Sequence, residues 1–326
     1  MKKDILSKKI LYWYDNNKRN LPWRTHHSKK QKQYFILVSE FMLQQTQVKT
    51  VIPYFKNFIR IIPNLKKLAK VSDKKLMKCW QGLGYYSRAR NLKKTSQIII
   101  KNHKGDIPNN FDDLKALPGV GNYTASAILA IAFNQPYIPL DGNIERVLKR
   151  YLYLKKESEI KKDKLDQKKS IFGTCKRSSD YAQALMEIGA LICKPTKPLC
   201  NQCPIQKKCM SFKKQDFELT KKNKKNINKY FILKVYKRDK RYLVIKNTKF
   251  NFLKNLNIFP MEEVTKTKKF NENLNFKISN MNMSIKIKYL KNYKDFPFSN
   301  WIDQKKLDNY ILPTFTKKIV RYLQNN

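Results

Sequence analysis

The stretch LPGVG (residues 117–121) separates two segments whose apolar residues recur at helical spacing, 111–117 and 122–133. Proline ends the first helix, and the two glycines allow a tight turn that can approach a ligand closely. The amides of Gly119 and Gly121 then face outward at the start of the second helix, where an anion is favoured. This pattern predicts two helices joined by a phosphate-binding hairpin, with an ordinary tight turn as the alternative.

The chain on both sides of this turn reads as an all-helical body. Pro53, Pro63 and the glycines of 82–84 punctuate it. Apolar residues recur at helical spacing in the segments 5–15, 34–59, 65–80, 86–101, 111–117, 122–133, 143–154 and 181–192.

A Lys/Asn-rich stretch at 213–228 is typical of a linker, and beyond it the helical spacing of apolar residues gives way to strand-like patterns. Residues 230–235 and 242–245 flank a polar turn and predict a β-hairpin. Residues 276–289 alternate again, and 304–324 have helical spacing. We therefore expect a small α/β domain at the C-terminal end.

Composition limits the classes of protein further. The chain has 326 residues, 41% of them hydrophobic, which is enough for two globular domains. There is no run of about 18 apolar residues and no signal-peptide pattern, so we expect a soluble cytoplasmic protein. The formal net charge of +46 fits a nucleic-acid partner, although the excess of Lys over Arg also fits AT-rich coding.

Four of the six cysteines are clustered as Cys193-x6-Cys200-x2-Cys203-x5-Cys209. Four thiolates at this spacing can wrap one inorganic core, and we favour a 4Fe-4S cluster. The alternatives are a zinc site, although zinc more often takes short-spaced pairs of cysteines, disulfides, and inert cysteines of the core. Lysines interleave with these cysteines and would present positive charge to a phosphate backbone.

A single acid interrupts the apolar stretch 34–48. On a helix, Glu40 shares a face with Ile36, Leu37 and Leu43. A carboxyl among aliphatic groups loses hydration, so its pKa rises and it can act as a general acid near neutral pH. The alternative is a solvent-facing glutamate on an amphipathic helix.

Asp141 lies in the segment PLDGN (139–143), just before another helical segment. An aspartate in this position is most often an N-cap. Capping does not exclude catalysis, because an ionised carboxylate about 20 residues beyond the hairpin can face the same cleft.

These motifs occur together, in this order, in a known family. The chain resembles the MutY-type adenine DNA glycosylases, closely over residues 5–212 and weakly over the C-terminal domain. The matching segments are LPWR (21–24), SEFMLQQTQV (39–48), VIPYF (51–55), GLGYYSRARNL (82–92), ALPGVG (116–121), LDGN (140–143) and the four cysteines.

The resemblance implies roles for individual residues. Glu40 matches the acid that protonates N7 of adenine, and Asp141 the carboxylate that stabilises the sugar cation by charge or covalent capture. Tyr123 and Asn143 match active-site hydrogen-bonding positions. The matched contacts to DNA or to a base are Trp23, Arg24, Gln45, Thr46, Leu83, Tyr85, Gly119, Gly121, Glu187 and Ser279.

One position separates this family from the endonuclease III-like proteins, which share the hairpin and the cysteine spacing. They place a lysine two residues after the last glycine of the hairpin, where it forms a Schiff base with the sugar. Tyr123 occupies that position here and cannot form an imine. We therefore expect base removal with weak or no strand cleavage.

The C-terminal domain departs from the family. It resembles a Nudix fold that recognises 8-oxoguanine through a Phe-Ser-His loop, whereas Ile278-Ser279-Asn280 stands here. Ser279 is retained, but the aromatic ring and the imidazole are missing. Preference for 8-oxoguanine over guanine is therefore expected to be weakened.

The resemblance implies an all-α helix-hairpin-helix glycosylase with a 4Fe-4S lobe, followed by a small α/β Nudix-like domain. It would act as a monomer on double-stranded DNA, hydrolysing the glycosidic bond of adenine opposite 8-oxoguanine or guanine. A bifunctional glycosylase/lyase and a non-catalytic DNA-binding protein are the alternatives. The expected divisions are 1–212 (a six-helix part at about 28–135, and an iron–sulfur lobe from the N-terminal helix plus 136–212), 213–228 and 229–326.

Overall fold

A computed structural model describes residues 2–26, 28–219, 226–265, 271–292 and 296–325. These residues divide into two compact units. The first comprises the described parts of Met1–Val71 and Ser87–Lys221, and the second those of Ser72–Tyr86 and Lys222–Asn326. Part of the expected linker, residues 220–225, lies outside the described residues.

The first unit is helical, as the apolar spacing predicts. Its central helix is α8 (Asn122–Phe133), in which all residues from Thr124 to Ala132 are buried, so helices pack around it. The helices of this unit are α1 (Lys2–Asn17), α2 (Lys29–Leu43), α3 (Val48–Ile61), α4 (Leu65–Lys70), α6 (Ser87–Asn102), α7 (Phe111–Ala116), α8 (Asn122–Phe133), α9 (Gly142–Leu152), α10 (Lys162–Lys168), α11 (Ser178–Glu187) and α12 (Met210–Lys213).

Side-chain caps begin the two helices that matter most for the site. Ser28 accepts a hydrogen bond from the Gln31 amide at the start of α2, and Asp141 accepts one from the Ile144 amide at the start of α9. A hydrophobic core joins α1, α9 and α11 and packs against Cys193, Cys203 and Cys209. The cysteine loops and the start of α9 therefore share one core.

The second unit contains helix α5 (Asp73–Trp80), two four-stranded sheets and a C-terminal helix. The elements are β1 (Ile227–Val235), β2 (Lys237–Arg238), β3 (Arg241–Lys246), β4 (Asn257–Ile258), β5 (Met261–Val264), β6 (Leu274–Ile278), β7 (Met281–Tyr289), β8 (Ser299–Asp303) and α13 (Thr314–Asn325). The first sheet has the order β5-β1-β7-β6, with β1 and β7 parallel. In the second sheet, β3 pairs with β2, β4 and β8.

The expected α/β character of this region is confirmed, but one predicted pairing is wrong. Residues 230–235 do not form a hairpin with 242–245, because β1 pairs with β5 and β7 instead. The hairpin is made by the two-residue strand β2, which pairs with β3. The helix predicted over 304–324 begins only at Thr314, directly after Pro313. No helix among the described residues has both the length and the apolarity that a membrane crossing requires.

Candidate active site

Glu40 lies in the last turn of α2, and only 4% of its surface is exposed. Every residue of this helix from Gln33 to Met42 is buried, and Ile36 and Leu37 on the Glu40 face are almost fully so. The carboxyl group therefore lies in an apolar interior, as the pattern of the sequence predicts. The solvent-facing alternative is wrong.

Tyr123, in the first turn of α8, donates its hydroxyl to Glu40 Oε2 at 3.0 Å. The pKa of Glu40 is raised to about 7: burial is the largest cause and raises it, the hydrogen bond from Tyr123 lowers it, and the charge of Asp141 raises it. Because a carboxyl group with this pKa is partly protonated at neutral pH, Glu40 can give a proton to a base.

Asp141 is half-buried and is anchored by two donors. Its Oδ1 accepts from the Ile144 amide at 2.7 Å, and its Oδ2 accepts from Asn143 Nδ2 at 2.8 Å. Burial raises the pKa of Asp141, whereas these two hydrogen bonds and the charge of Arg146 lower it. The N-cap interpretation is therefore correct, and the charge of the same carboxylate also raises the pKa of Glu40.

Arg146 is a residue that sequence reasoning missed. Its Nη2 donates to Asn143 Oδ1 at 2.9 Å and to the Gly189 carbonyl at 2.6 Å, and its Nε donates to the Cys193 carbonyl at 2.6 Å. A continuous set of hydrogen bonds therefore runs from Asp141 through Asn143 and Arg146 to the backbone of Cys193. The one sequence signal is an arginine three residues after Asn143, on the same helical face.

Gly189 allows this arrangement to form. It lies in the π-helical turn Ile188–Ile192, where a Cβ atom would meet Asn143 Cβ at 2.5 Å and the Asn143 carbonyl oxygen at 2.8 Å. Any side chain at position 189 would displace Asn143, and with it a donor to Asp141.

The hairpin glycines are both exposed at the start of α8. Gly119 has φ +81°, and a Cβ atom there would lie 2.9 Å from Asn91 Cβ and 3.0 Å from Phe41 Cε1. Gly121 is the N-cap of α8, and a Cβ atom there would meet nothing within 4 Å. The hairpin is therefore exposed at both glycines and has open space beside Gly121, which leaves room for an anion at the start of α8.

Glu187 and Arg24, both expected to contact DNA or a base, are in direct contact with each other. Arg24 Nη2 lies 2.8 Å from Glu187 Oε1, and Arg19 Nε lies 2.7 Å from Glu187 Oε2. The carboxylate of Glu187 is almost completely buried between these arginines. Trp23 is also buried and packs edge-on against Phe55.

The remaining candidates lie in turns. Gln45 is exposed, with a left-handed φ of +58°, and precedes the half-buried Thr46. In the second unit, Tyr85 is 49% exposed with φ +46°, whereas Leu83 is buried. Ser279 is exposed at the tip of the β6–β7 hairpin, also with a positive φ.

The four clustered cysteines line one cavity. Its other walls include Val147, Ile188, Ile192, Pro198 and Ile205. Among the described residues, no three Cys, His, Asp or Glu side chains form a group that could hold a single metal ion. Four thiols that line one apolar cavity form a donor set that would suit an iron–sulfur cluster.

Comparison with known proteins places this fold. Residues 38–170 match the family model of the HhH-GPD superfamily of base excision DNA repair proteins. A thermostable thymine-DNA glycosylase structure is 28% identical with a TM-score of 0.57, covering 65% of this chain and 97% of that one. An endonuclease III structure, 22% identical with a TM-score of 0.53 over 65% of this chain and 97% of that one, shares the fold. Fold and site thus define a helix-hairpin-helix glycosylase.

Curated relatives identify the particular family of glycosylases to which the chain belongs. The adenine DNA glycosylase of Buchnera aphidicola subsp. Schizaphis graminum (strain Sg) is 38% identical over 264 residues, which cover 78% of this chain and 74% of that protein. The adenine DNA glycosylase of Homo sapiens is 40% identical over 207 residues, covering 61% of this chain and 38% of that protein. The chain belongs to the adenine DNA glycosylase family.

Proposed function

We propose that this chain is a monofunctional glycosylase of base excision repair. It hydrolyses the N-glycosidic bond of adenine mispaired with 8-oxoguanine or guanine in double-stranded DNA and leaves an abasic site. The observation that carries the proposal is the pairing of Glu40, a buried carboxyl group with a pKa of about 7, with the anchored carboxylate of Asp141.

Glu40 serves as the general acid. Adenine is a poor leaving group until it is protonated, so a neutral carboxyl group must face N7 of the extruded base. Tyr123 holds the Glu40 carboxyl group in place. As the C1′–N9 bond breaks, its electron pair moves onto the protonated adenine, which leaves as a neutral base.

Asp141 serves as the fixed anion. The sugar develops positive charge at the transition state, and a preoriented carboxylate stabilises it without reorganisation. Asn143 and the Ile144 amide favour the ionised form of Asp141 by donating hydrogen bonds to it. A water molecule then adds to C1′ and releases one proton to solvent, from which Glu40 regains the proton that it gave to adenine, and the hydrolysis is complete.

The target adenine reaches this site only if it is flipped out of the duplex, as is usual for glycosylases. The backbone amides of the exposed Gly119 and Gly121 bind backbone phosphate and position the protein. The base stack that the adenine leaves is contacted by four residues: Gln45, Thr46, Leu83 and Tyr85. Trp23, Arg24 and Glu187 line the pocket that receives it.

Residues 229–326 form the Nudix-like domain that recognises the base opposite adenine, with Ser279 as a contact; residues 213–228 form the linker between it and the glycosylase domain, 1–212. The exposed position of Ser279 on a hairpin tip supports this role. Because Asn280 replaces the histidine of the family, the preference for 8-oxoguanine over guanine is lowered.

Cys193, Cys200, Cys203 and Cys209 hold the 4Fe-4S cluster. The donor set fits, since four thiols in an apolar cavity are typical ligands of iron–sulfur groups. When bound, the cluster would cross-link the loops that carry these four cysteines. Around it, Arg150 donates to Cys193 Sγ at 3.4 Å and to the Lys194 carbonyl at 2.6 Å, which fixes the first loop.

Cys203→Ser is expected to lower bound iron and sulfide well below the four of each that a complete cluster contains. Iron and sulfide assays, together with the visible absorbance of purified protein, measure this loss. Cys175→Ser is the matched control, because Cys175 does not line the cavity, and it should keep the full complement. One zinc ion per chain in the wild type would contradict the assignment.

The single-turnover excision rate is expected to fall about tenfold per pH unit above about pH 7, because Glu40 loses the proton it must donate. At low pH the rate should fall again as Asp141, whose pKa is raised by burial, becomes protonated. A pH–rate profile under single-turnover conditions measures both limbs. A rate that stays constant through the alkaline limb would identify another proton source.

The overall proposal is tested with a labelled duplex carrying adenine opposite 8-oxoguanine, analysed with and without hot alkali. Strand breaks that need alkali are expected, because Tyr123 cannot form an imine. Breaks without alkali, or trapping of a covalent adduct by borohydride in high yield, would instead show a lyase. Absence of any break would show a binding protein.

A further inference from the structure

The turn after α2 is held in an unusual backbone conformation. The helix ends at Leu43, and Gln45 adopts a left-handed φ of +58°, which is uncommon for residues other than glycine. The Thr46 amide donates to the Leu43 carbonyl at 3.1 Å, which closes the turn. Such a conformation persists only where the surrounding structure enforces it.

Arg88 supplies one restraint. It lies in the first turn of α6 and is 6% exposed. Its Nη1 donates to the carbonyl oxygens of Phe41 at 3.1 Å, Met42 at 2.6 Å and Gln44 at 2.5 Å. The last carbonyls of a helix lack partners within it and favour a cation, so one guanidinium group satisfies the helix end and the turn together.

Gln44 supplies a second restraint from the opposite direction. Its Nε2 donates to the Gly119 carbonyl at 3.1 Å and to Thr124 Oγ1 at 3.3 Å. The turn is therefore fixed to the hairpin as well as to α6, and the Gln45 side chain projects from a backbone anchored on both sides.

We propose that Arg88 is a positioning residue for base extrusion: it holds the turn at residues 44–46 so that Gln45 can enter the stack as the adenine leaves. This inference rests on the proposed function. Arg88 touches neither adenine nor the sugar in this scheme and acts through the three carbonyl groups. A turn ordered in advance does not lose conformational entropy at the moment of insertion.

This role predicts a dependence on the substrate that general damage to the fold would not produce. Loss of Arg88 should impair extrusion of a stacked, paired adenine, because this extrusion needs Gln45 to enter the stack. It should matter little when the pairs flanking the adenine are mismatched, because unstacking is then cheaper. The chemistry of Glu40 and Asp141 is the same in both duplexes.

The test compares single-turnover excision from two duplexes, both with adenine opposite 8-oxoguanine, one fully paired and one with both flanking pairs mismatched. Arg88→Gln is expected to lower the rate on the order of tenfold or more in the paired duplex and less than about threefold in the mismatched one. Arg60→Gln, the same change at an exposed arginine of α3, should alter neither rate.

Equal loss in both duplexes, or no loss in either, would overturn the proposal. If Arg88→Gln melts below the assay temperature, Gln44→Leu tests the proposal in its place, because it frees the same turn from the hairpin. The proposal then requires that Gln44→Leu lower the rate in the paired duplex much more than in the mismatched one. Failure of the proposed function looks different: the wild type would then release adenine from neither duplex. Glu40→Gln serves as the reference for a purely chemical defect, with equal loss in both.

Discussion

Glu40→Gln is expected to reduce the single-turnover rate of adenine excision by about 10²–10⁴-fold, the usual contribution of a general acid. Glutamine keeps the size of the side chain and can still accept the hydrogen bond from Tyr123, but it cannot release a proton to N7. Mispair binding should change little, because phosphate contacts dominate affinity for DNA. Rapid-quench measurement of base release, with binding followed in parallel, separates the two effects.

Glu157→Gln is the matched control, since this carboxyl group is exposed and lies outside the site. It should excise at the wild-type rate. Wild-type activity in Glu40→Gln itself would remove Glu40 from the mechanism, whatever the cysteines bind.

Asp141→Asn is expected to lower the same rate by about 10²–10³-fold or more, because a neutral amide cannot stabilise the sugar cation. The substitution distinguishes catalysis from capping. Asparagine caps helices about as well as aspartate, so the melting temperature should stay within a few degrees of the wild type. Base release and thermal unfolding are measured on the same preparation.

Asn110→Ala provides the converse control. Asn110 caps α7 as Asp141 caps α9, but it is not part of the site. Its loss should cost about 1 kcal/mol of stability and leave excision unchanged. If Asp141→Asn lowers the melting temperature and spares the rate, Asp141 is a cap alone.

Much of the fold could be predicted because local rules and tertiary structure agree in the helical unit. Apolar spacing predicts its helices. LPGVG predicts the hairpin, because its proline ends one helix and its glycines allow a tight turn before the next. The apolar environment of Glu40 could be predicted because Glu40 is a single acid in an apolar helical stretch, 34–48.

The parts that could not be predicted depend on long-range contacts. The parallel pairing of β1 with β7 joins segments about 50 residues apart, and a hairpin pattern cannot show it. The Arg146 contacts depend on a π-helical turn that brings Gly189 and the Cys193 carbonyl to α9. Arg88, within a basic helical segment, reads as a surface residue until the end of α2 is placed over it.

The division of protonation states between Glu40 and Asp141 is the central claim, and difference infrared spectroscopy measures it directly. Below the Glu40 pKa of about 7, the wild type should show the carbonyl stretch of a protonated carboxylic acid. That band should disappear in Glu40→Gln and persist in Asp141→Asn. A band that survives in Glu40→Gln and is lost in Asp141→Asn would show that the proton resides on the wrong carboxyl group and would contradict the mechanism.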